Sequence, residues 1–291
     1  MAIAYVLVIL VWGTTPLGIA WSTEGFSPAA AALLRMLLAV ALGLPLLWVL
    51  GMRIPWHRQA CLSYLASQPG VLFSMLCSYF ASRYVASGLL SIMFGLAPLM
   101  SGLMMQWLPG GQRLTRWQWA GCATGVLGLV WIFSDALQGG NQLLGILLLL
   151  LAVFGFSASG ILVQRVAAGV PPLPQSVAAV LLSVPGYALF WWLSGLPLVE
   201  APSWRALGAV VYLAVMGSLV GFISYFYVLA RLPASTVALV TLCTPVLAIL
   251  AGYGLNQETL SPKLLTGALI ILLGLVLYFR GSRAVSQVLV E

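Results

Sequence analysis

Long stretches without a charged side chain constrain this chain more than any other feature. They cover residues 3–23, 59–82, 84–112, 136–164, 166–199, 206–230 and 232–257. A helix needs about 20 consecutive apolar residues to cross the hydrocarbon core of a bilayer, and each of these stretches is long enough. A helix also satisfies its own backbone hydrogen bonds in lipid, and the alternating pattern of a β-barrel is absent. The sequence therefore predicts a multi-pass α-helical membrane protein.

Charged residues are also too few for a water-soluble domain. They make up 6% of the 291 residues, whereas a soluble domain carries about 25%. The net charge is +7, but the basic residues stand singly or in pairs at the ends of apolar stretches. The lipid bilayer is therefore the expected partner and nucleic acid is not. The four cysteines form no CxxC pair, so we expect no disulfide framework, no metal site and no cofactor.

Glycines, prolines and charges divide the apolar stretches into ten predicted membrane-spanning helices. The predicted spans are 3–22, 28–50, 60–81, 84–107, 115–134, 142–163, 173–194, 205–229, 232–255 and 262–280. The loops between them are short and leave no room for a soluble domain. No Lys or Arg precedes the first span, so we expect it to be retained rather than removed as a signal peptide.

Basic residues in the loops predict how the chain is oriented. With ten spans, both termini and the even-numbered loops share one side. That side carries eight Arg residues, the other side carries Arg83, Arg205 and Lys263, and Arg35 falls within a span. Because Lys and Arg accumulate in cytoplasmic loops, both termini are expected in the cytoplasm. The expected location is the inner (plasma) membrane.

The two halves of the chain resemble each other at a nearly constant spacing. The sequence Leu-Gly-Leu-Val at 127–130 recurs at 273–276, which is 146 positions later. A helix opening on Ala-Ser reaches a proline in each half, at Pro98 and at Pro245. Further matches pair Trp12-Gly13 with Phe154-Gly155, Gly121 with Gly267, and Phe133 with Phe279. The spacing favours an internal repeat over chance similarity between apolar helices.

A repeat of five helices has a consequence for topology, because the second copy must enter the membrane from the opposite side. We therefore predict an all-α membrane protein built from two inverted five-helix repeats around a central cavity. The first repeat covers residues 1–138, the second covers 139–283, and 284–291 form a C-terminal tail. Many secondary transporters have this architecture, and their halves move around a central site.

Together these features resemble the EamA-type family of the drug/metabolite transporter superfamily. The resemblance covers residues 1 to about 283 and includes Trp12-Gly13, Leu-Leu-Arg-Met at 33–36, and the paired Ala-Ser…Pro helices. The family's acidic residue before the last helix of a repeat is present as Glu258, but Gln112 replaces it in the first half. The resemblance implies a cavity lined by helices 1–4 and 6–9, with helices 5 and 10 outside. It also implies metabolite export, with amino acids among the substrates.

Arg35 is the most informative single residue. It lies about seven residues, or roughly 10 Å, into the second predicted span. A charge near the centre of a membrane helix costs about 2.5–3.5 kcal/mol on insertion scales, and less near the ends. One interpretation is that Arg35 binds the carboxylate or phosphate of a substrate. The alternative is a structural tie to Glu24 or to carbonyl groups at a helix end.

Polar and aromatic side chains at membrane depth would suit an amphipathic solute. Besides Arg35, the substrate-binding candidates are Trp12, Thr14, Thr15, Tyr79, Phe94, Phe154, Ser157, Ser159, Tyr225, Tyr227, Thr241 and Thr244. The alternative for each Ser or Thr is a bond to the preceding turn or to a neighbouring helix. Trp and Tyr near span ends are more often interface anchors. Pro98 and Pro245 are hinge candidates, with a static kink as the alternative.

The predicted function is secondary transport of a small organic metabolite, an amino acid or a related amphipathic solute, with export favoured. No Asp or Glu lies in the middle of a predicted span, so we expect no carboxylate-based proton relay in the membrane core. An enzyme is disfavoured because no HExxH, GxSxG or paired carboxylates are present. A facilitative channel or a non-transporting scaffold remains open, and the sequence leaves the substrate and the oligomeric state undetermined.

Overall fold

The computed structural model describes residues 2–109, 113–134, 142–201, 203–231, 240–257 and 261–288, and this part of the chain is helical throughout apart from turns and loops. The helices are α1 Ala2–Ser22, α2 Pro28–Val49, α3 Arg58–Gln68, π1 Pro69–Ser74, α4 Met75–Ala81, α5 Ser87–Phe94, α6 Ala97–Gln106, α7 Arg116–Phe133, α8 Gln142–Val166, α9 Pro172–Ser194, α10 Trp204–Tyr212, π2 Leu213–Val220, α11 Gly221–Leu229, α12 Val240–Asn256 and α13 Pro262–Val288.

Within the described residues, eight spans are long and apolar enough to cross a membrane, and some of them consist of two or three consecutive helices. This confirms a multi-pass helical membrane protein. The fifth and ninth predicted spans are present as the helices α7 and α12 but do not belong to the eight. The apolar part of α12, Cys243–Asn256, is shorter than the others, and α7 opens on the polar residues Arg116 and Gln118. The last helix continues to Val288, past the end predicted at residue 280.

Two of the spans contain a π-helical segment that the sequence did not predict. In π1, which continues α3 directly into α4, the first residue is Pro69. Proline has no backbone N–H, so the regular hydrogen-bond pattern cannot continue through this residue. The second segment, π2, joins α10 to α11 and contains Gly217. A π segment widens the helix and is frequently found at functional sites.

The helices pack in pairs that correspond when the two halves of the chain are exchanged. Helix α1 packs against α12 and against the span formed by α10, π2 and α11. Helix α8 packs correspondingly against α6 and against the span formed by α3, π1 and α4. Helix α2 packs against α9. These pairs surround the centre of the molecule and hold most of its larger hydrophobic core.

Helices α7 and α13 form a separate pair that packs mainly on itself. Glycines let their backbones approach closely. A Cβ atom placed on Gly121 would lie 2.5 Å from the carbonyl oxygen of Gly274, and one on Gly128 would lie 3.0 Å from that of Gly267. Small residues allow this kind of contact between helices in a membrane. The pair belongs to a second hydrophobic cluster and leaves the central helices to form the cavity described next.

Candidate solute-binding cavity

A cavity lies between the central helices. The space between its lining residues amounts to about 820 Å³, including the open space at its mouth. Its lining is mostly apolar, with a few polar groups, and comprises Trp12, Thr15, Pro16, Ile19, Arg35, Gly70, Val71, Met75, Ser78, Leu90, Ser91, Phe94, Phe156, Ser159, Phe222, Tyr225, Phe226 and Thr244. None of these residues belongs to α7 or α13, as expected, and none belongs to α9, which was expected to contribute.

Four aromatic rings form one wall, which we call the aromatic cluster: Trp12, Phe94, Phe156 and Tyr225. The ring centroids of Trp12 and Tyr225 are 4.9 Å apart, and those of Trp12 and Phe156 are 5.5 Å apart. Phe156 lies 5.7 Å from both Phe94 and Tyr225. The cluster joins α1, α5, α8 and α11, so it brings side chains from both halves of the chain into contact. It provides an apolar surface for a ligand.

Arg35 supplies the only full charge among the cavity-lining residues. Its side chain is 1% exposed. The Nε atom donates a hydrogen bond of 2.8 Å to the Ser218 hydroxyl in π2, and Nη1 lies 4.0 Å from the sulfur of Met75. A Cβ atom on Gly217 would lie 2.8 Å from Nη2. The guanidinium therefore occupies space that exists because residue 217 is a glycine.

Arg35 does not form the structural tie to Glu24 that was one alternative to substrate binding. Glu24 pairs with Arg205, whose Nε donates to the Glu24 carboxylate at 2.9 Å. Glu24 belongs to the loop after α1, whereas the Arg35 side chain reaches into the core toward π2. Within the described part of the chain, the two ion pairs are Glu24–Arg205 and Arg83–Glu200. Neither includes Arg35, so its charge faces only neutral partners there.

The structure places seven of the predicted substrate-binding residues together at the cavity. These are Trp12, Thr15, Arg35, Phe94, Ser159, Tyr225 and Thr244. Their hydroxyl groups also make the local bonds considered as the alternative. Thr15 donates to the carbonyl of Val11 at 2.7 Å, and Ser159 donates to that of Ser67 at 3.2 Å.

The other predicted residues lie elsewhere. Thr14 donates to the carbonyl of Leu10 at 2.9 Å, and Ser157 donates to that of Ala97 at 3.1 Å. Tyr227 stacks beneath Arg231, whose guanidinium carbon is 3.7 Å from the ring centroid. Tyr79 is fully buried behind the lining. The side chain of Thr241 lies outside the described residues.

Phe154 is 48% exposed on the outside of α8, and Phe156 lies in the cavity instead. The candidate Phe154, which matches Trp12 in the repeat, therefore lies outside the aromatic cluster. Phe156 and Ser159 are three residues apart and share a helix face, but Phe154 and Ser157 have the same spacing, so the sequence favoured neither pair. Sequence reasoning also missed Phe222 and Phe226 because nothing distinguished them from other apolar residues.

The two hinge candidates differ. Pro98 is the second residue of α6 and follows a break in the span at Gly95–Leu96. Pro245 lies inside the continuous helix α12 and is buried. The Ala97 carbonyl beside the first proline accepts the bond from Ser157 of α8. The break in the fourth span is therefore held by a contact from the other half of the chain.

At one face of the molecule, polar contacts join the two halves. We call the pairs Glu24–Arg205 and Arg83–Glu200 the latch. Between them, the backbone N–H of Glu200 donates to the carbonyl of Gly25 at 2.9 Å. Each half contributes one acid and one base. Such partly exposed pairs contribute at most about 1 kcal/mol each.

The overall arrangement matches a known crystal structure. That protein is 19% identical to this chain, superposes with a TM-score of 0.70, and 97% of each chain is covered. A likeness at this identity establishes the fold. The family comparison goes further, because the profile described as "EamA-like transporter family" matches residues 1–134 and 143–280. The chain belongs to the EamA-like transporter family.

Relatives within this family are similar over most of their length. One is 25% identical over 87% of this chain and 81% of its own, and is named an uncharacterized inner membrane transporter, YedA, of Escherichia coli K12. Another, an uncharacterized transporter of Archaeoglobus fulgidus, is 25% identical over 96% of this chain and 98% of its own. A third, from Streptantibioticus cattleyicolor, is named "Probable terminal-alkyne amino-acid exporter" and is 28% identical over 91% and 89%.

Proposed function

We propose that this protein is a secondary transporter that moves a small amphipathic organic solute, amino acids included, by alternating access. The observation that carries the proposal is the cavity between the two halves of an EamA-like chain. Its apolar walls and few polar groups suit a solute with an apolar body and one polar end. The named amino-acid exporter among the relatives supports export of this class of solute.

The proposal includes ten spans arranged as two inverted five-helix repeats. Three observations support it. The family profile matches two ranges of similar length, 1–134 and 143–280, and the packing of α1 corresponds to that of α8 when the halves are exchanged. The two π segments also fall in the third and eighth predicted spans, which the repeat makes equivalent.

We further propose that the protein lies in the inner membrane with both termini in the cytoplasm. The excess of Arg in the even-numbered loops supports this orientation. All four latch residues then belong to the outer face, because Glu24, Arg83, Glu200 and Arg205 follow odd-numbered spans or precede even-numbered ones. The latch would close the outer side of the cavity in the state described here. A face closed in this way favours a carrier over an open channel.

Counterflow in proteoliposomes tests the transport function. Vesicles loaded with unlabelled solute should accumulate the same labelled solute transiently, and solute on the trans side should accelerate exchange. The panel is L-phenylalanine, L-leucine and 3-phenylpropanoate. A channel would show flux without trans-stimulation. A scaffold would show no flux with any of the three, and either result contradicts the proposal.

Pro98 and Pro245 are proposed to be points of bending during alternating access. Pro245 removes one backbone hydrogen bond from the interior of α12, whereas Pro98 lies in the first turn of α6, directly after the break in its span. Replacing both by alanine should slow exchange while leaving solute binding unchanged, because neither proline lines the cavity. Wild-type exchange by the double variant would show that both prolines are static kinks.

A further inference from the structure

We propose that the cavity selects organic monoanions, each an aromatic or apolar body with a single carboxylate, over zwitterionic amino acids. Arg35 would bind the carboxylate and the aromatic cluster would bind the body. This inference rests on the proposed function in that it names the solute class of the same cavity. It specifies carboxylate monoanions, whereas the name of one relative suggests amino acids.

The first argument is the uncompensated charge of Arg35. An arginine side chain stays protonated in proteins, and this one is 1% exposed. Its described partners, the Ser218 hydroxyl and the Met75 sulfur, are both neutral. A buried charge without a counter-charge is destabilising. A carboxylate in the cavity would supply that counter-charge and would match the flat guanidinium with two parallel hydrogen bonds.

The other polar groups near Arg35 are neutral hydroxyls. The Tyr79 hydroxyl is buried behind the lining, within interaction distance of both the Arg35 guanidinium and Ser22, so it is not counted as a donor for a ligand. The hydroxyl groups of Thr15, Ser78 and Ser159 already donate to backbone carbonyls. Arg35 is the only charged donor among the cavity-lining residues.

The second argument is the lack of an acid that could balance an ammonium group. Across residues 1–257 the only acids are Glu24, Asp135 and Glu200. Glu24 and Glu200 are held in the latch, and Asp135 falls in the loop between the fifth and sixth predicted spans. No segment that lines the cavity contains a carboxylate. An amino acid bound here would place its ammonium group among hydroxyls and aromatic rings, without a counter-charge.

The aromatic cluster suits an apolar body better than a cation. A cation–π site needs an open ring face. The rings of Trp12 and Tyr225 lie 4.9 Å apart at 38°, and Phe156 meets Trp12 edge to face at 77°. These rings pack against one another and form an apolar wall of the cavity. With one arginine and no second basic residue in the lining, a dianion would leave a negative charge unbalanced.

Three ligands with the same phenylethyl skeleton separate the possibilities. They are 3-phenylpropanoate, which carries only a carboxylate, L-phenylalanine, which carries both charges, and 2-phenylethylamine, which carries only an ammonium. Equilibrium binding is measured on the full chain in lipid nanodiscs with radiolabelled 3-phenylpropanoate and the other two as competitors. We expect 3-phenylpropanoate to bind at least about tenfold more tightly than L-phenylalanine, and 2-phenylethylamine not to compete. Equal or tighter binding of L-phenylalanine, or binding of none of the three, overturns the proposal.

Variants at Arg35 test the role of the charge. Arg35→Gln should lose at least about tenfold in affinity for 3-phenylpropanoate. Arg35→Lys should keep part of it, because lysine retains the charge but not the planar fork. Arg53→Gln removes an equal charge at an exposed position and should bind like the wild type. Melting curves without ligand show whether each variant is folded. If Arg35→Gln does not fold, the comparison of the three ligands on the wild-type protein still tests the proposal.

Failure of this inference is distinguishable from failure of the proposed function. If counterflow occurs with L-phenylalanine but not with 3-phenylpropanoate, the protein is a transporter and the inferred solute class is wrong. If 3-phenylpropanoate binds in an Arg35-dependent way but no solute shows counterflow, the inferred class stands and the transport function is wrong.

Discussion

The two π-helical segments differ in what supports them, although both lie in spans that the proposed repeat makes equivalent. In the first half, the Tyr187 hydroxyl of α9 donates to the carbonyl of Val71 in π1. In the second half, Arg35 of α2 donates to Ser218 in π2. Each segment is thus supported by a helix from the opposite half. Tyr187 is neutral and its hydroxyl is hydrogen-bonded, whereas Arg35 is charged and lines the cavity.

This difference indicates which features serve the fold and which serve the solute. A neutral tyrosine is sufficient to support a π segment at this position. A buried arginine is a costly way to make a similar contact, so its charge needs another explanation. Binding a solute anion provides that explanation, and the two supports should therefore respond differently to substitution.

The largest effect is expected at Gly217, beside Arg35. Gly217→Ala would place a Cβ atom 2.8 Å from Nη2 of the guanidinium and displace the arginine without removing it. Because displacement of a positioning group by about 1 Å can cost on the order of a hundredfold in rate, counterflow should fall by that order. Gly208→Ala is the matched control, since a Cβ atom there meets nothing within 4 Å. A fully active Gly217→Ala would contradict the role of this contact.

Tyr187→Phe should have the opposite profile. Removing the hydroxyl leaves the Val71 carbonyl without the hydrogen bond that it accepts, which costs about 1–3 kcal/mol when the group is buried. We expect a lower free energy of unfolding, measured by denaturant titration in detergent, with wild-type counterflow from the folded fraction. Tyr253→Phe at an exposed site should change neither. If Tyr187→Phe lost transport but not stability, the distinction between the two supports would be wrong.

The smallest effect is expected at the latch, where the halves contribute equally. Glu200→Gln breaks the pair with Arg83 and should lower stability by less than about 1 kcal/mol, with the difference reduced further by salt. The more useful measurement is how readily a membrane-impermeant maleimide reaches the cavity from the latch face, and this accessibility should increase in Glu200→Gln. Exchanging the two charges, Arg83→Glu with Glu200→Arg, should reverse the change. Unaltered accessibility would show that the latch does not control opening.

Most of the fold was predictable because lipid imposes simple rules on the sequence. Long apolar stretches predicted the eight confirmed spans, even though the second span contains Arg35 and the last contains Lys263. The π segments were not predictable, because Pro69 and Gly217 are also compatible with a kink or a tight helix contact. The site was predictable in part. Arg35 and Trp12 stood out by chemistry, whereas Phe222 resembles any lipid-facing residue until its helix is placed.

The central claim is that two halves enclose one cavity that opens to one face at a time. It is tested most directly by labelling a single cysteine at Ser159, in a variant lacking the four native cysteines, with a membrane-impermeant maleimide from each face. The account predicts labelling from the face opposite the latch, and a shift toward the latch face when Glu24 and Glu200 are both replaced by glutamine. The account would be contradicted by labelling at equal rates from both faces when Glu24 and Glu200 are intact, or by the absence of a shift when both are replaced.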